Sequence, residues 1–332
     1  MKTPLLLLTA SLAVAGLISA CGGGSSSSTS SGPIFVDPSD SVRAEAARIT
    51  ATSNANCDTA RLGPFYWEIG DGTLARAGGS VGSNAPTAET DMSIASASKW
   101  VYSSYVLQKV GRRTSDVPYL NFTSGYTEMN VPLCQPGDTV AGCLAGRDGL
   151  VSSTEGRFVY GSGHMQTHAV RIMGLGALGI AGLTTELQNT LGDFGFQYEQ
   201  PQLAGGLVAN AAGYGGFLRR ILRGELAIGA ALGTSAVCTN PATCASAISG
   251  PIPGNESWSY SLGHWVEDDP AVGDGAFSSA GALGFYPWID RTRTYYGVLA
   301  RRASVTEDSA GYHSAQCGRL IRQAWESGVA VR

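Results

Sequence analysis

Apolar residues along this chain follow helical spacing first, then strand-like spacing, then a long helical stretch, and finally strand-like spacing again. In residues 39–55, Val42 and Ile49 lie two turns apart on one helical face, which predicts a first helix. Asp40 or Ser41 is placed to cap its amino end. This helix is expected to open the folded part of the chain.

Two segments near the amino end and three near the carboxyl end have the composition of strands. Residues 65–69 and 73–77 flank a Gly-Asp-Gly turn and predict a hairpin. Residues 258–266, 276–289 and 295–300 are again rich in aromatic and branched side chains. Strands from the two ends can pair into one antiparallel sheet.

The intervening residues, from about 94 to 230, carry mostly helical patterns broken by loops. Residues 173–183 are apolar or small throughout and too few to span a bilayer, which predicts a core helix. Residues 213–226 are amphipathic, and residues 309–325 predict a closing helix. The predicted fold class is α+β, an α/β sandwich. Its antiparallel sheet is flanked by N- and C-terminal helices and joined to a mostly helical second lobe.

The composition narrows the possible partners. With 43% hydrophobic and 14% charged residues, the 332-residue chain can bury a large core. Its formal net charge is −4 with no long run of one sign, so no nucleic-acid partner is predicted. Neither a metal nor another cofactor is predicted.

The first twenty residues have the features of an export signal, with Lys2 followed by an apolar run. That run ends in Ile18-Ser19-Ala20-Cys21, which resembles the lipobox of bacterial lipoproteins. The resemblance implies that Cys21 is lipidated and anchors the protein to a membrane. An ordinary cleavable signal is the alternative.

Residues 21–37 are rich in Gly, Ser and Thr and predict a flexible tether before a folded domain at 38–332. In bacterial lipoproteins of Gram-negative bacteria, an aspartate directly after the lipidated cysteine is linked with retention in the inner membrane. This chain has Gly22 at that position. The predicted location is therefore the cell envelope, at the outer membrane facing the periplasm, or the cell surface.

Six cysteines remain besides the lipidation candidate, and an even number in an exported protein indicates disulfides. Two pairs are close in sequence, which leaves a third pair to join the two ends of the domain. The predicted disulfides are Cys134–Cys143, Cys238–Cys244 and Cys57–Cys317. A metal site is the alternative, but no CxxC spacing supports it.

Ser96 and Lys99 form an S-x-x-K pattern. Positions three apart share a helical face, so a serine and a lysine there can exchange a proton. Desolvation lowers the lysine pKa from its free value of about 10.4, and the neutral amine can then act as a base. A serine at a helix start also has a free N–H for a developing oxyanion. A surface lysine is the alternative.

Five segments in order resemble the motifs of β-lactamase-like serine hydrolases, a family that includes penicillin-binding enzymes and esterases. They are residues 93–101, 120–126, 158–164, 204–218 and 277–282. The resemblance covers residues from about 65 to 300 and implies a β-lactamase/transpeptidase-like fold. The expected sheet lobe spans about 38–90 and 251–332, and the helical lobe about 91–250.

The resemblance also implies a catalytic site. Ser96 would attack a carbonyl group and form an acyl-enzyme, and Lys99 would take its proton. Tyr160 would relay a proton to the leaving group or activate water; a packed core tyrosine is the alternative. The backbone N–H groups of Ser96 and Ala282 would form the oxyanion hole.

Two motifs depart from the family's pattern. Residues 160–162 read Tyr-Gly-Ser, with serine in place of asparagine, so contacts with the substrate are expected to be weaker. Residues 279–281 read Ser-Ala-Gly and lack the usual lysine or histidine, which argues against a carboxylate-bearing substrate. His264 is a candidate replacement for that cation, although a hydrogen-bonded structural histidine is the preferred interpretation. The predicted substrate contacts are Ser162, Ser279, Gly281 and His264.

The leading hypothesis is a carboxylesterase or small-amide hydrolase of the cell envelope, acting on a small ester or amide. A D-amino-acid peptidase or β-lactamase is an alternative within the family. A non-catalytic envelope-binding lipoprotein on a hydrolase scaffold is the alternative from another class. Intact Ser96, Lys99 and Tyr160 favour an enzyme. The sequence does not indicate an oligomeric state.

Overall fold

The computed structural model describes residues 38–127, 134–144 and 149–332. The helices of this part of the chain are α1 (Asp40–Ser53), α2 (Thr59–Leu62), α3 (Ser98–Val110), α4 (Val117–Leu120), α5 (Gly163–Arg171), α6 (Ile180–Leu191), α7 (Ala211–Leu222) and α8 (Ala310–Ser327). Its strands are β1 (Phe65–Asp71), β2 (Ala75–Val81), β3 (Met92–Ser93), β4 (Phe158–Val159), β5 (Gln197–Tyr198), β6 (Leu207–Ala209), β7 (Val237–Cys238), β8 (Ala247–Ser249), β9 (Ser259–Ser261), β10 (His264–Val266), β11 (Phe277–Ser278), β12 (Tyr286–Ile289) and β13 (Tyr295–Arg301).

Strands from both ends of the chain pair into one antiparallel sheet, in the order β2-β1-β13-β12-β11-β10-β9-β7. Strand β1 forms the predicted hairpin with β2, and it pairs with β13 so that Phe65 lies opposite Arg301. Strand β7 joins this sheet from the centre of the chain. The predicted α+β class with an antiparallel sheet is confirmed.

Helices cover both faces of the sheet because neighbouring residues of β13 point to opposite sides. The Tyr295 ring packs against Trp325 of α8, with ring centroids 5.6 Å apart. The Tyr296 hydroxyl accepts a hydrogen bond from Arg219 of α7 at 2.6 Å. Helix α1 lies beside α8, where the Arg43 side chain donates to the Trp325 carbonyl oxygen. The N- and C-terminal helices therefore share one face and α7 covers the other.

Two sequence-based expectations about helices need correction. Helix α1 is capped by Ser39, whose Oγ accepts from the Val42 N–H at 3.4 Å, because Asp40 is already helical. Residues 173–183 are not one helix, since helix α6 begins only at Ile180. Gly174 adopts a φ of +71°, a left-handed conformation that a helix does not accommodate. Glycines therefore interrupt the helix that the apolar content of this segment predicted.

Three disulfides join the cysteine pairs proposed from spacing: Cys57–Cys317, Cys134–Cys143 and Cys238–Cys244. The first connects the segment after α1 to the middle of α8 across 260 positions of sequence, whereas the third closes a separation of only 6.

The export signal, the lipidated Cys21 and the tether lie outside the described residues and stay predictions. Across the described ranges, every helix is too short or too polar to cross a bilayer.

Replacing Cys57 and Cys317 together by serine is expected to lower the free energy of unfolding by about 5 kcal/mol. Replacing Cys238 and Cys244 should cost only about 2 kcal/mol, because the closed loop is far shorter. Urea denaturation of the two double variants and the oxidised parent measures the difference. Equal losses from the two pairs would contradict this entropic account.

Candidate active site

Ser96 lies in a 3₁₀ turn, Ala95–Ala97, that leads directly into α3. Ala95 has a φ of +44°, a conformation that costs a non-glycine residue energy and is typical of functional sites. The Ser98 hydroxyl donates to the Ala95 carbonyl at 2.7 Å and accepts from the Leu207 N–H at 3.2 Å. These bonds hold the strained turn in place.

The two carbonyl groups that follow are also held by side chains from distant segments. Ser279 Oγ donates to the Ser96 carbonyl at 3.2 Å, and the Tyr214 hydroxyl donates to the Ala97 carbonyl at 2.9 Å. The Ser96 side chain is half-buried. Its backbone is thus clamped between α7 and the loop after β11, while its hydroxyl still faces open space.

Lys99 is buried one helical turn after Ser96, with 3% of its surface exposed. Its Nζ lies 2.8 Å from Ser96 Oγ and donates to the Ala204 carbonyl at 2.8 Å. No carboxylate of the described residues forms an ion pair with it. Burial lowers the pKa of Lys99 to about 7, so a large fraction of the amine is uncharged at neutral pH.

Two aromatic rings surround this amine. The Lys99 Nζ lies 4.9 Å from the centre of the Tyr160 ring and 6.0 Å from that of Phe122. Burial raises the pKa of the Tyr160 phenol, and a hydrogen bond with Ser96 opposes this shift. Tyr160 therefore keeps its proton at neutral pH and lies beside the predicted nucleophile and base.

A cavity of about 360 Å³ opens onto Ser96. Its lining residues are Ser96, Tyr160, Pro251, Ile252, Trp265, Ala280, Ala282, Glu307, Asp308, Ser309, Ala310, Gly311 and Tyr312. Among the described residues, the N–H groups of Ser96 and Ala282 have no hydrogen-bond acceptor. Both residues line the cavity, so the geometry is compatible with the predicted oxyanion hole.

The predicted substrate contacts at the third motif support the nucleophile turn instead of lining the cavity. Ser279 is 3% exposed, and its hydroxyl is bound to the Ser96 carbonyl. A Cβ on Gly281 would lie 2.2 Å from the Ile94 carbonyl oxygen, so only glycine allows this approach. Ser162 precedes α5 and does not line the cavity either. A contact of these three residues with substrate stays a prediction.

The prediction that His264 replaces the missing cation is wrong. His264 is fully buried, stacks on Trp100 with ring centroids 5.5 Å apart, and accepts from the Gly233 N–H through Nε2 at 3.0 Å. Burial lowers its pKa to about 3, so the ring is uncharged. The strand pattern did not show that this residue faces the core.

His164 and His168 lie one turn apart on α5, a spacing that also occurs in metal sites. His164 contacts Ser124 Oγ at 2.7 Å through Nδ1 and the Val159 carbonyl at 3.0 Å through Nε2. His168 contacts the Tyr102 hydroxyl and the Asp116 carboxylate through its two nitrogens. Both rings are engaged within the protein, which gives them structural roles.

Several site residues were missed by the sequence reasoning. Phe122 lies inside a matching segment, but nothing in that segment showed that its ring faces Lys99. Trp265 stacks on Tyr160 with ring centroids 5.3 Å apart and lines the cavity, which the strand pattern of residues 258–266 does not reveal. The start of α8 supplies the remaining wall. Only the fold brings these segments together.

No family model matches the chain, and no curated protein matches it. Solved structures do, at low sequence identity. EstCE1, a hydrolase with promiscuous acyltransferase activity, aligns with a TM-score of 0.60 at 14% identity over 86% of this chain and 99% of its own. The D-amino acid amidase of Ochrobactrum anthropi SV3 aligns with a TM-score of 0.60 at 10% identity, over 85% and 98%.

A candidate β-lactamase from Bacteroides dorei aligns with a TM-score of 0.54 at 19% identity, over 78% of this chain and 94% of that one. These similarities show that the chain has the β-lactamase/transpeptidase fold. At such identities they are evidence for the fold alone.

Lys99→Met is expected to raise the free energy of unfolding by roughly 3 kcal/mol at pH 7. The pKa shift of the amine contributes about 4 kcal/mol, and the hydrogen bond lost at the Ala204 carbonyl takes away about 1 kcal/mol. The unfolded lysine titrates near about 10.4 and the folded one near 7, so the unfolded state binds more protons between these values. The stability of the parent therefore rises with pH across this window, and the advantage of the variant shrinks.

Urea denaturation of the parent and the variant at pH 6.5, 8.0 and 9.5 measures this trend in the free energy of unfolding. Lys109→Met on the same helix is the control, because Lys109 is 49% exposed and pairs with Glu186. A stability gap for Lys99→Met that does not change with pH would contradict the buried, uncharged amine.

Proposed function

We propose that the chain is a serine hydrolase that forms an acyl-enzyme at Ser96 and acts on small esters or amides. The observation that carries this proposal is the 2.8 Å separation between Ser96 Oγ and the buried Lys99 amine. Because no carboxylate of the described ranges holds the amine in its charged form, its lone pair is available to the serine proton at neutral pH.

In the first step Ser96 Oγ bonds to the substrate carbonyl carbon while its proton moves to Lys99 Nζ. The negative charge that develops on the carbonyl oxygen is stabilised by the N–H groups of Ser96 and Ala282. The ammonium that forms lies against the faces of Tyr160 and Phe122, whose rings attract a cation.

In the second step the bond from the carbonyl carbon to the leaving group breaks. The Tyr160 phenol, which is protonated at neutral pH, gives its proton to the leaving oxygen or nitrogen. Lys99 returns a proton to Tyr160, so that the amine is neutral again. Water then attacks the acyl-enzyme and one of its protons passes to the same amine. The bond between the carbonyl carbon and Ser96 Oγ breaks, the Lys99 ammonium returns that proton to Oγ, and the acid is released.

The walls of the cavity disfavour an acyl group that carries a negative charge. Ile252 and Trp265 present apolar surface beside Ser96, and no lysine, arginine or histidine of the described residues lines the space. This agrees with an esterase or amidase and disfavours a substrate held by its carboxylate. We further propose that the reaction takes place in the cell envelope, as the predicted lipid anchor implies.

The proposal predicts that a fluorophosphonate probe labels the parent protein and that Ser96→Ala abolishes labelling. Hydrolysis of p-nitrophenyl esters should disappear in the same variant. Ser98→Ala, two positions away, is a reference for damage to the turn, since that hydroxyl bonds only to backbone. If the parent neither reacts with the probe nor hydrolyses esters, the proposal is contradicted. If the parent turns over a chromogenic cephalosporin faster than the p-nitrophenyl esters, the β-lactamase alternative is assigned.

Tyr160→Phe is expected to slow acylation by about 10²-fold for an alkyl ester or an amide, because the leaving group loses its proton donor. The same variant should slow hydrolysis of a p-nitrophenyl ester much less, since p-nitrophenolate departs without a proton. Stopped-flow measurement of acylation with both leaving groups checks this difference. Tyr198→Phe, another buried tyrosine, provides the control; equal losses for both leaving groups would exclude an acid role.

A further inference from the structure

The cavity at Ser96 carries its charge on one side only. Glu307 and Asp308, which directly precede α8, are the charged side chains among its described lining residues. The other described lining side chains are apolar or carry hydroxyl groups. The charge that this cavity presents to a substrate therefore comes from these two carboxylates.

The two carboxylates differ in how they are compensated. Glu307 receives both guanidinium arms of Arg301, at 2.9 and 2.8 Å, and also contacts His313 at 3.2 Å. Asp308 is exposed and forms no hydrogen bond or ion pair with any described residue. Arg301 is itself 1% exposed and lies behind Glu307, so it adds little positive charge to the cavity.

A competing effect comes from the first turn of α8, which has free N–H groups and whose Ala310 and Gly311 line the cavity. Such a helix end corresponds to roughly half a positive charge. Ser309, the cap, makes no side-chain hydrogen bond to this turn. Glu307 and Arg301 cancel one another, so Asp308 contributes one full negative charge. This charge exceeds the partial positive charge of the helix end. The mouth of the cavity is therefore net negative.

The apolar lining of this cavity suits an apolar body that carries a cation. Ile252, Trp265 and Tyr312 line the cavity, and aromatic faces attract ammonium groups, quaternary ones included. The Tyr312 hydroxyl is held by Glu256 at 2.6 Å, and Arg319 binds the same carboxylate at 2.9 Å. The ring that borders the mouth is thus fixed in place.

From these observations we infer that the cleft selects esters or amides with a cationic group at the end of an apolar chain, and that Asp308 is the residue that determines this preference. The inference rests on the proposed function, since it concerns the substrate of the same site.

Two pairs of esters that differ only in charge test it. The first is p-nitrophenyl 4-(trimethylammonio)butanoate against its carbon isostere, p-nitrophenyl 5,5-dimethylhexanoate. The second places the charge on the leaving group, as butanoylcholine against 3,3-dimethylbutyl butanoate. For at least one pair, kcat/KM should be about fivefold higher for the cation, a ratio that decreases with added salt. The p-nitrophenyl monoester of glutarate should be the poorest substrate.

Asp308→Asn should bring the cation-to-neutral ratio close to one, and Asp308→Lys should invert it. The ratio is insensitive to partial unfolding, because both esters report on the same active fraction. Glu89→Lys is the matched control, since Glu89 is an exposed carboxylate that does not line the cavity, and it should leave the ratio unchanged.

The outcomes separate the two proposals. Hydrolysis of the neutral esters without a cationic preference, or with a preference for the carboxylate, overturns this inference and leaves the proposed function standing. An unchanged ratio in Asp308→Lys also overturns it. Absence of all hydrolysis together with absence of fluorophosphonate labelling overturns both.

Discussion

The contact between the buried Lys99 amine and the Ser96 hydroxyl is the interaction on which the rest of the site depends. Bringing an amine out of water without a carboxylate is unfavourable for its charged form, and that same cost makes the amine a base. When the Lys99 amine takes up a proton, the faces of the Tyr160 and Phe122 rings attract the resulting ammonium. Stability is thus lowered at the place where reactivity is required.

The fold holds this arrangement by joining distant segments at one short turn. Ser279 follows a strand of the large sheet and Tyr214 comes from the helix on its far side, yet they bind the adjacent carbonyl groups of Ser96 and Ala97. Gly281 lets its loop approach the residue before that turn. The packing of the sheet against α7 therefore positions the nucleophile. The placement of the Ser96 hydroxyl relative to the Lys99 amine and the Tyr160 phenol follows from it.

The sequence was sufficient for features that depend on local spacing. The hairpin, the closing helix, the two cysteine pairs that are close in sequence and the Ser96–Lys99 juxtaposition each follow from a short pattern. Features set by long-range packing were not accessible. Alternation does not tell which face of a strand is buried, which is why His264 was misplaced, and apolar content does not reveal that glycines interrupt residues 173–183. The cavity wall at the start of α8 has no local signature.

The Cys57–Cys317 bridge encloses every residue of the site within one covalent ring. A protease that cuts an exposed loop inside this ring, such as residues 304–306, produces two pieces that stay linked. Complementary fragments held together in this way remain at a high effective concentration and can reassociate. In an oxidising compartment a nicked molecule therefore keeps α8, the helix of the second piece, tied to the sheet of the first, and it needs reduction as well as cleavage to fall apart.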